Sequence, residues 1–212
     1  MKSMKWLVVA ALLAGLAAGS AKADPSFSLG IGASYWQILD KDVRDTLDAD
    51  GLWGASIYPR LWFTDNVGLE VRLSGYAYQD DYKERDLETG DDVDVDVTLS
   101  CGSAELGLLL QFQLAETPLS VYGGAGGGYY YFKEDVDVDY RHHRHSWHHD
   151  KSYSYKLDNA FGWWGMAGLK LSLTDSLALF GEGRYLDVKP ESDDTKYDFA
   201  GVQYVAGLMF NF

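Results

Sequence analysis

Cysteine, proline, positive charge and long apolar runs are all scarce in this sequence, and each scarcity excludes something. Cys101 is the single thiol among 212 residues, so no intramolecular disulfide framework can hold the fold together. Only 4 prolines occur, and no Pro/Ser-rich linker or second compositional block divides the chain, which argues for one domain. The longest apolar run, Trp6 to Ala18, is 13 residues, short of the roughly 20 that a spanning helix requires. Lysine and arginine total 18 against 32 acidic residues. That balance makes nucleic acid an unsuitable partner.

The short apolar run has a different reading. Lys2 and Lys5 precede it, and Ala21-Lys22-Ala23 places small residues on either side of Lys22 for cleavage before Asp24. This is the pattern of a secretory signal peptide over 1–23. No Cys lies beside the cleavage site, which argues against a lipoprotein. Residues 24–212 then carry 15 basic and 32 acidic residues, a net charge of −17. No remaining segment reads as a membrane-spanning helix, so residence in a bilayer requires a closed barrel, the other structure that satisfies every backbone hydrogen bond in hydrocarbon.

What the sequence does contain is alternation. In the last stretch Val202, Tyr204, Ala206, Leu208, Phe210 and Phe212 share one parity, and Gly201, Gln203, Val205, Gly207, Met209 and Asn211 the other. A period of two marks a strand with different environments on its two sides. A strand in this position needs a partner on its open edge, and the first strand is the obvious one. Three tight connections, Thr64-Asp65-Asn66, Ala115-Glu116-Thr117-Pro118 and Thr174-Asp175-Ser176, carry turn-forming residues. Four long polar connections, Asp40 to Gly51, Gln79 to Asp92, Glu134 to Lys156 and Lys189 to Asp198, alternate with them. The reading is an all-β chain: an eight-stranded antiparallel up-and-down transmembrane barrel with short periplasmic turns and long extracellular loops. Its strands are expected near 26–39, 52–64, 67–78, 94–113, 119–133, 158–173, 177–188 and 200–212.

Parity also separates this reading from a soluble sandwich. If the apolar faces meet lipid, the inward set contains Arg60, Glu70, Arg72, Glu105, Lys170, Glu182 and Arg184, three acids and four bases. Charges enclosed in a narrow lumen must be paired, and such a mixture allows it. Aromatic girdles are expected from Phe27, Phe63, Phe112, Phe210 and Phe212 on the turn side and from Tyr35, Trp53, Phe132, Phe161 and Tyr185 on the loop side.

These features, with Thr117-Pro118-Leu119-Ser120-Val121-Tyr122-Gly123-Gly124-Ala125-Gly126, Gly181-Glu182-Gly183-Arg184-Tyr185 and the terminal Phe212, resemble small porin-like outer-membrane β-barrel proteins of the OmpA-like transmembrane type. The resemblance covers residues 24–212. It implies an outer-membrane address in a Gram-negative-type bacterium, contact with outer-membrane lipids and lipopolysaccharide, and a plugged interior without a wide pore. It further implies that the barrel-assembly machinery reads the last strand, with Phe210 and Phe212 as the insertion signal. The expected state is a monomer with a structural surface role, no catalytic residues and no required cofactor.

All five histidines lie within ten residues: His142, His143, His145, His148 and His149. Imidazoles ligate zinc, copper or nickel, and pairs on either side of Ser146-Trp147 are placed to converge. The plainer reading is a solvated tip that binds nothing. Beside it run two acidic stems with Asp94 and Asp96 in one and Asp137 and Asp139 in the other. A hairpin centred on 115–118 sets these at the same height, where like charges across strands repel. Calcium, or the Arg/His tip folding back, would neutralise them. The alternative functions are therefore surface cation binding or adhesion through 134–156. A lipid A-modifying enzyme is the rival class; its catalysis needs a rigid His with a Ser and an acid, whereas these histidines lie in a loop. Because Leu106 and Leu108 share the parity of Asp94 and Asp96, either a bulge near Ser100 to Ser103 or strands clear of the membrane is expected.

Overall fold

A computed structural model of the chain describes residues 25–47, 50–85, 92–141, 148–155, 158–192 and 195–212. In chain order the elements are β1 (Ser26–Ile38), α1 (Lys41–Leu47), β2 (Gly51–Trp62), β3 (Val67–Arg85), β4 (Asp92–Gln113), β5 (Leu119–Arg141), β6 (His148–Tyr155), β7 (Ala160–Ser172), β8 (Leu177–Asp187), β9 (Glu191–Ser192), β10 (Thr195–Lys196) and β11 (Gly201–Asn211). Eight of these, β1 to β5, β7, β8 and β11, form one closed antiparallel sheet. The last strand closes on the first as its alternation requires, from Ser28 opposite Asn211 to Ile38 opposite Gly201. No barrel strand keeps an open edge at membrane height.

Threonine organises each tight turn. The Thr64 hydroxyl accepts from the Asn66 and Val67 amides at 3.2 and 3.0 Å. Thr174 accepts from the Leu177 amide at 3.1 Å, and Thr117 from the Leu119 amide at 3.3 Å. In the turn before β5, Glu116 takes a φ of 57°, the left-handed conformation that favours glycine. The ladders are continuous. β4 and β5 pair from Asp92 opposite Arg141 to Gln113 opposite Ser120, and β3 pairs with β4 from Val67 opposite Leu110 to Arg85 opposite Asp92, with no residue skipped.

That continuity removes the first of the two alternatives expected for this stretch and leaves the second, strands clear of the membrane. There is no bulge at Ser100 to Ser103. Ala104, Leu106 and Leu108 stay outward while Cys101, Ser103 and Glu105 stay inward, and Asp96 lies exposed on the outward parity. The two central loops are also less loop-like than expected. β3 and β4 run on to Arg85 and back from Asp92, and Glu134–Arg141 continues β5 and pairs with β6. Alternating valine explains the extension, since Asp-Val-Asp-Val-Asp is itself a strand pattern. A further element was hidden at Asp40, whose carboxylate accepts from the Val43 amide at 3.0 Å and caps α1.

The outer wall is apolar. Trp53 is 69%, Phe161 74% and Phe212 76% exposed, and Leu73, Leu106, Leu169 and Leu179 lie exposed between them. An apolar surface that encircles the whole molecule belongs in hydrocarbon. Ring pairs stand near its ends: Phe27 with Phe212 at 5.8 Å, Tyr35 with Trp53 at 4.8 Å and Trp163 with Tyr185 at 5.7 Å. Phe132 was expected in this girdle and is instead fully buried inside; on β5 the odd positions face out, so Tyr129 and Tyr131 take the lipid side.

Inside, glycines make room for large side chains. A Cβ on Gly30 would stand 2.1 Å from the Tyr58 ring, and one on Gly107 would stand 2.3 Å from the Trp164 ring. The outer end of the tube is filled by a core that includes Trp36, Leu52, Tyr130, Phe132, Leu186 and Phe199. Val43 of α1 joins this core from above, and Phe199 packs on Phe132 at 4.7 Å.

Candidate functional site

Below that apolar core the interior is charged. Arg60 and Glu70 are directly opposed on β2 and β3, Arg72 and Glu105 on β3 and β4, and Arg184 and Gln203 on β8 and β11. All these side chains are buried. Glu182 reaches from β8 across the lumen to the far wall. Glu182 Oε2 accepts from Arg60 Nη2 at 3.2 Å, and Glu182 Oε1 accepts from Arg72 Nη2. Glu70 closes the square, accepting from Arg60 Nε at 2.7 Å and from Arg72 Nε at 3.0 Å.

Two carboxylates and two guanidiniums thus share four contacts. The Tyr122 hydroxyl donates to Glu182 Oε2 at 2.9 Å, in space left by Gly168, where a Cβ would come within 2.6 Å of the Tyr122 ring. Tyr58 lies beneath both cations, 4.4 Å from the Arg72 guanidinium carbon and 5.6 Å from that of Arg60. Desolvated charges are tolerable only with geometry of this kind, because an unpaired one costs several kcal/mol.

A second bolt lies toward the outer end. Arg184 Nη2 donates to Glu105, Arg184 Nη1 donates to Gln203 Oε1 at 2.6 Å, and Gln203 donates to the Tyr76 hydroxyl. Ser103 donates to Glu105 at 2.8 Å, and the Arg184 guanidinium stacks 4.7 Å from the Trp164 ring. Chemically, every carboxylate here is engaged by a guanidinium, an arrangement that fastens opposite walls together.

Parity brought six of the seven inward charges into these two groups. The seventh, Lys170, is only partly buried and stands apart, 5.9 Å from the Trp62 ring. Tyr122, Tyr76, Gln203 and Ser103 complete the networks; they share the inward parity of the charges, which was the signal for them.

The proposed metal ligands fare differently. His142, His143 and His145 lie outside the described residues. His148 and His149 begin β6, opposite Arg141 and Tyr140. Asp94 is opposite Asp139 and Asp96 opposite Asp137, the register anticipated from the hairpin. Among the described residues no cluster of metal-ligating side chains occurs. Phe210 is opposite Leu29 and Leu177, and Phe212 donates its amide to Phe27 O at 2.9 Å.

Comparison with known proteins agrees with this geometry. The family model for the outer membrane protein beta-barrel domain matches residues 8–212. Neisserial surface protein A has the same fold at 14% identity, with a TM-score of 0.54 over 90% of this chain and 100% of that one. A major outer membrane protein from Thermus thermophilus is similar at 13% identity, also with a TM-score of 0.54, over 90% of this chain and 100% of that one. No curated protein sequence matches the chain.

Proposed function

The chain belongs to the outer membrane protein beta-barrel domain family and resides in the outer membrane of a Gram-negative-type bacterium, and from that premise we propose that it is a non-enzymatic, monomeric surface barrel whose interior is sealed. Residues 1–23 serve as its export leader. The barrel-assembly machinery reads Phe210 and Phe212, and the apolar wall sits among outer-membrane lipids and lipopolysaccharide.

The observation that carries the sealed interior is the square of Arg60, Glu70, Arg72 and Glu182, which joins β8 to β2 and β3 across the lumen. An ion crossing at that height would have to separate charges held in a low-dielectric enclosure. Recording from purified protein in planar bilayers tests this. Silent membranes are the expected result, and stable, reproducible conductance steps in the wild-type chain would refute sealing.

A second reading, surface cation binding, is favoured by one observation: the register sets Asp94 opposite Asp139 and Asp96 opposite Asp137, pairings of like-charged residue types on adjacent strands. Repulsion of that kind is relieved by a bound cation. Calcium is the hard ion suited to carboxylates, while zinc, copper or nickel suit the neighbouring histidines. Calorimetric titration with calcium and with zinc should give saturable heats that vanish in the four-Asp-to-Asn and five-His-to-Ala variants respectively. Incubation with lipid A should leave it unmodified; acyl release or transfer would restore the enzymatic alternative.

A further inference from the structure

Among the described residues, the charges of the lumen leave one cation over. Arg60 and Arg72 share Glu70 and Glu182, and Arg184 holds Glu105. Lys170, on the turn side of the square, has no carboxylate within ion-pair distance among the described residues, and the charge that acts on it is the like-signed Arg60. Its ammonium opens into a chamber of about 350 Å³ at the mouth formed by the short turns.

The chamber is polar and has fixed walls. Ser28, Trp62, Gln111, Lys170 and Asn211 line it, with Asp65 at the rim. Trp62 is held in place by its indole N–H, which donates to Ser28 Oγ at 3.1 Å. Asn66 donates to the Gln111 carbonyl at 2.8 Å and so pins that stretch of β4 to the turn. Gln111 Oε1 is buried and has no donor among the described residues. A half-buried ammonium with no counter-charge among the described residues, lining the same chamber as Gln111, fits a ligand that offers negative oxygens to the ammonium and a hydroxyl to the amide.

We propose that this chamber binds a small free oxyanion, a phosphate or a hydroxy-carboxylate, from the periplasmic side, with Lys170 as the counter-charge. Hydrogen phosphate carries both features, acceptor oxygens for Lys170 and a P–OH donor for Gln111. Asp65 at the rim disfavours more highly charged anions. The proposal stands whether or not the lumen conducts, because the chamber lies on the turn side of the ionic square.

The test is a titration of the full chain in neutral detergent micelles with inorganic phosphate, replacing chloride at constant ionic strength. The readout is the Trp62 indole ¹⁵N–H resonance, assigned by its loss in Trp62→Phe. The expected result is a saturable shift, weakened at least tenfold in Lys170→Met and in Lys170→Gln and recovered in Lys170→Arg. Acetate, which has no hydroxyl donor, should bind more weakly than phosphate. A shift that stays linear in phosphate, or one of equal size in both neutral variants, overturns the proposal. So does a Trp62 shift that follows the anionic lipid content of nanodiscs without added phosphate, which would make the ligand a headgroup.

Discussion

The two halves of the lumen solve one problem with opposite chemistry. At mid-height the tube is filled by Arg60, Glu70, Arg72 and Glu182, fixed by charge and by directional hydrogen bonds. At the outer end it is filled by rings and aliphatic chains around Trp36, with Tyr76 at 5.5 Å, Tyr130 at 6.1 Å and Phe199 at 6.3 Å. Hydrocarbon surrounds the middle of the barrel, so most apolar residues are drawn outward there and the charges enclosed at that height must pair with one another, beside a smaller buried cluster of Tyr58, Phe180, Val205 and Met209. At the height of Trp36 the outward positions are the girdle rings Tyr35, Trp53 and Tyr185, so apolar side chains there stand on both faces of the sheet and the interior needs no ionic pairing. One tube therefore changes its packing rule along its own axis.

The difference predicts that the halves fail differently. Glu182→Gln keeps the shape of the side chain and removes one of the two anions of the square, leaving two guanidiniums facing one carboxylate in a buried site. A loss of about 3–5 kcal/mol is expected, as for breaking a buried ion pair. It should appear as a lowered urea midpoint and as earlier loss of the folded band on unheated gels. Replacing Arg60, Glu70, Arg72 and Glu182 together with apolar residues of similar volume should cost less than this single change, because no charge is then left unpaired. Equal or greater loss in the quadruple variant would show that the ionic square contributes stability beyond its own pairing.

Phe199→Ala attacks the other half. Phe199 is 1% exposed and touches both Phe132 and Trp36, so its removal opens a cavity in a core that cannot collapse freely against a closed sheet. About 2–4 kcal/mol is expected, within or just below the range for buried aromatic truncation. The ionic square lies below and shares none of these contacts, so the two losses should add in the double variant. Planar-bilayer recording of Phe199→Ala should remain silent if the square alone seals the tube. Conductance steps in this variant would move the seal to the apolar half.

How much of this was legible in the sequence follows the same division. Parity identified the charged half, since a period of two that places Arg60, Glu70, Arg72, Glu182 and Arg184 opposite leucines and aromatics has one natural reading. The apolar half was not legible by that means. Trp36, Leu52 and Phe132 occupy inward positions, but an apolar residue at an inward position and one facing lipid look alike when only hydrophobicity is read. Phe132 was misassigned for this reason. Val43 and Phe199 come from connecting segments, where alternation gives no guidance; the Asp40 cap was the available hint for α1. The isolation of Lys170 could not be read from a count of inward charges, because a count does not say which wall each charge can reach.

The smallest expected effect concerns what holds Phe199 over the mouth. The Phe199 amide donates to Val188 O at 3.0 Å, and the preceding Asp198 accepts from Lys189 Nζ at 2.6 Å and from the Ala200 amide at 2.9 Å. Against the upward push of burial, those two donors hold the Asp198 carboxyl below its ordinary range. A depressed carboxylate contributes stability above its unfolded pKa and loses it as pH falls through the lower, folded value, so the tether should be intact at pH 5 and slacken progressively below about pH 4. Asp198 is substantially solvated, and screening limits Asp198→Asn to a few tenths of a kcal/mol in global stability. The local readout is more sensitive: hydrogen exchange at the Phe199 and Ala200 amides should accelerate in Asp198→Asn at pH 6, while the Arg184 and Gln203 amides of the ladder below stay protected. Faster exchange at the ladder as well would mean that the outer cap and the charged interior open as one unit, and the contrast between the two halves would then describe composition only.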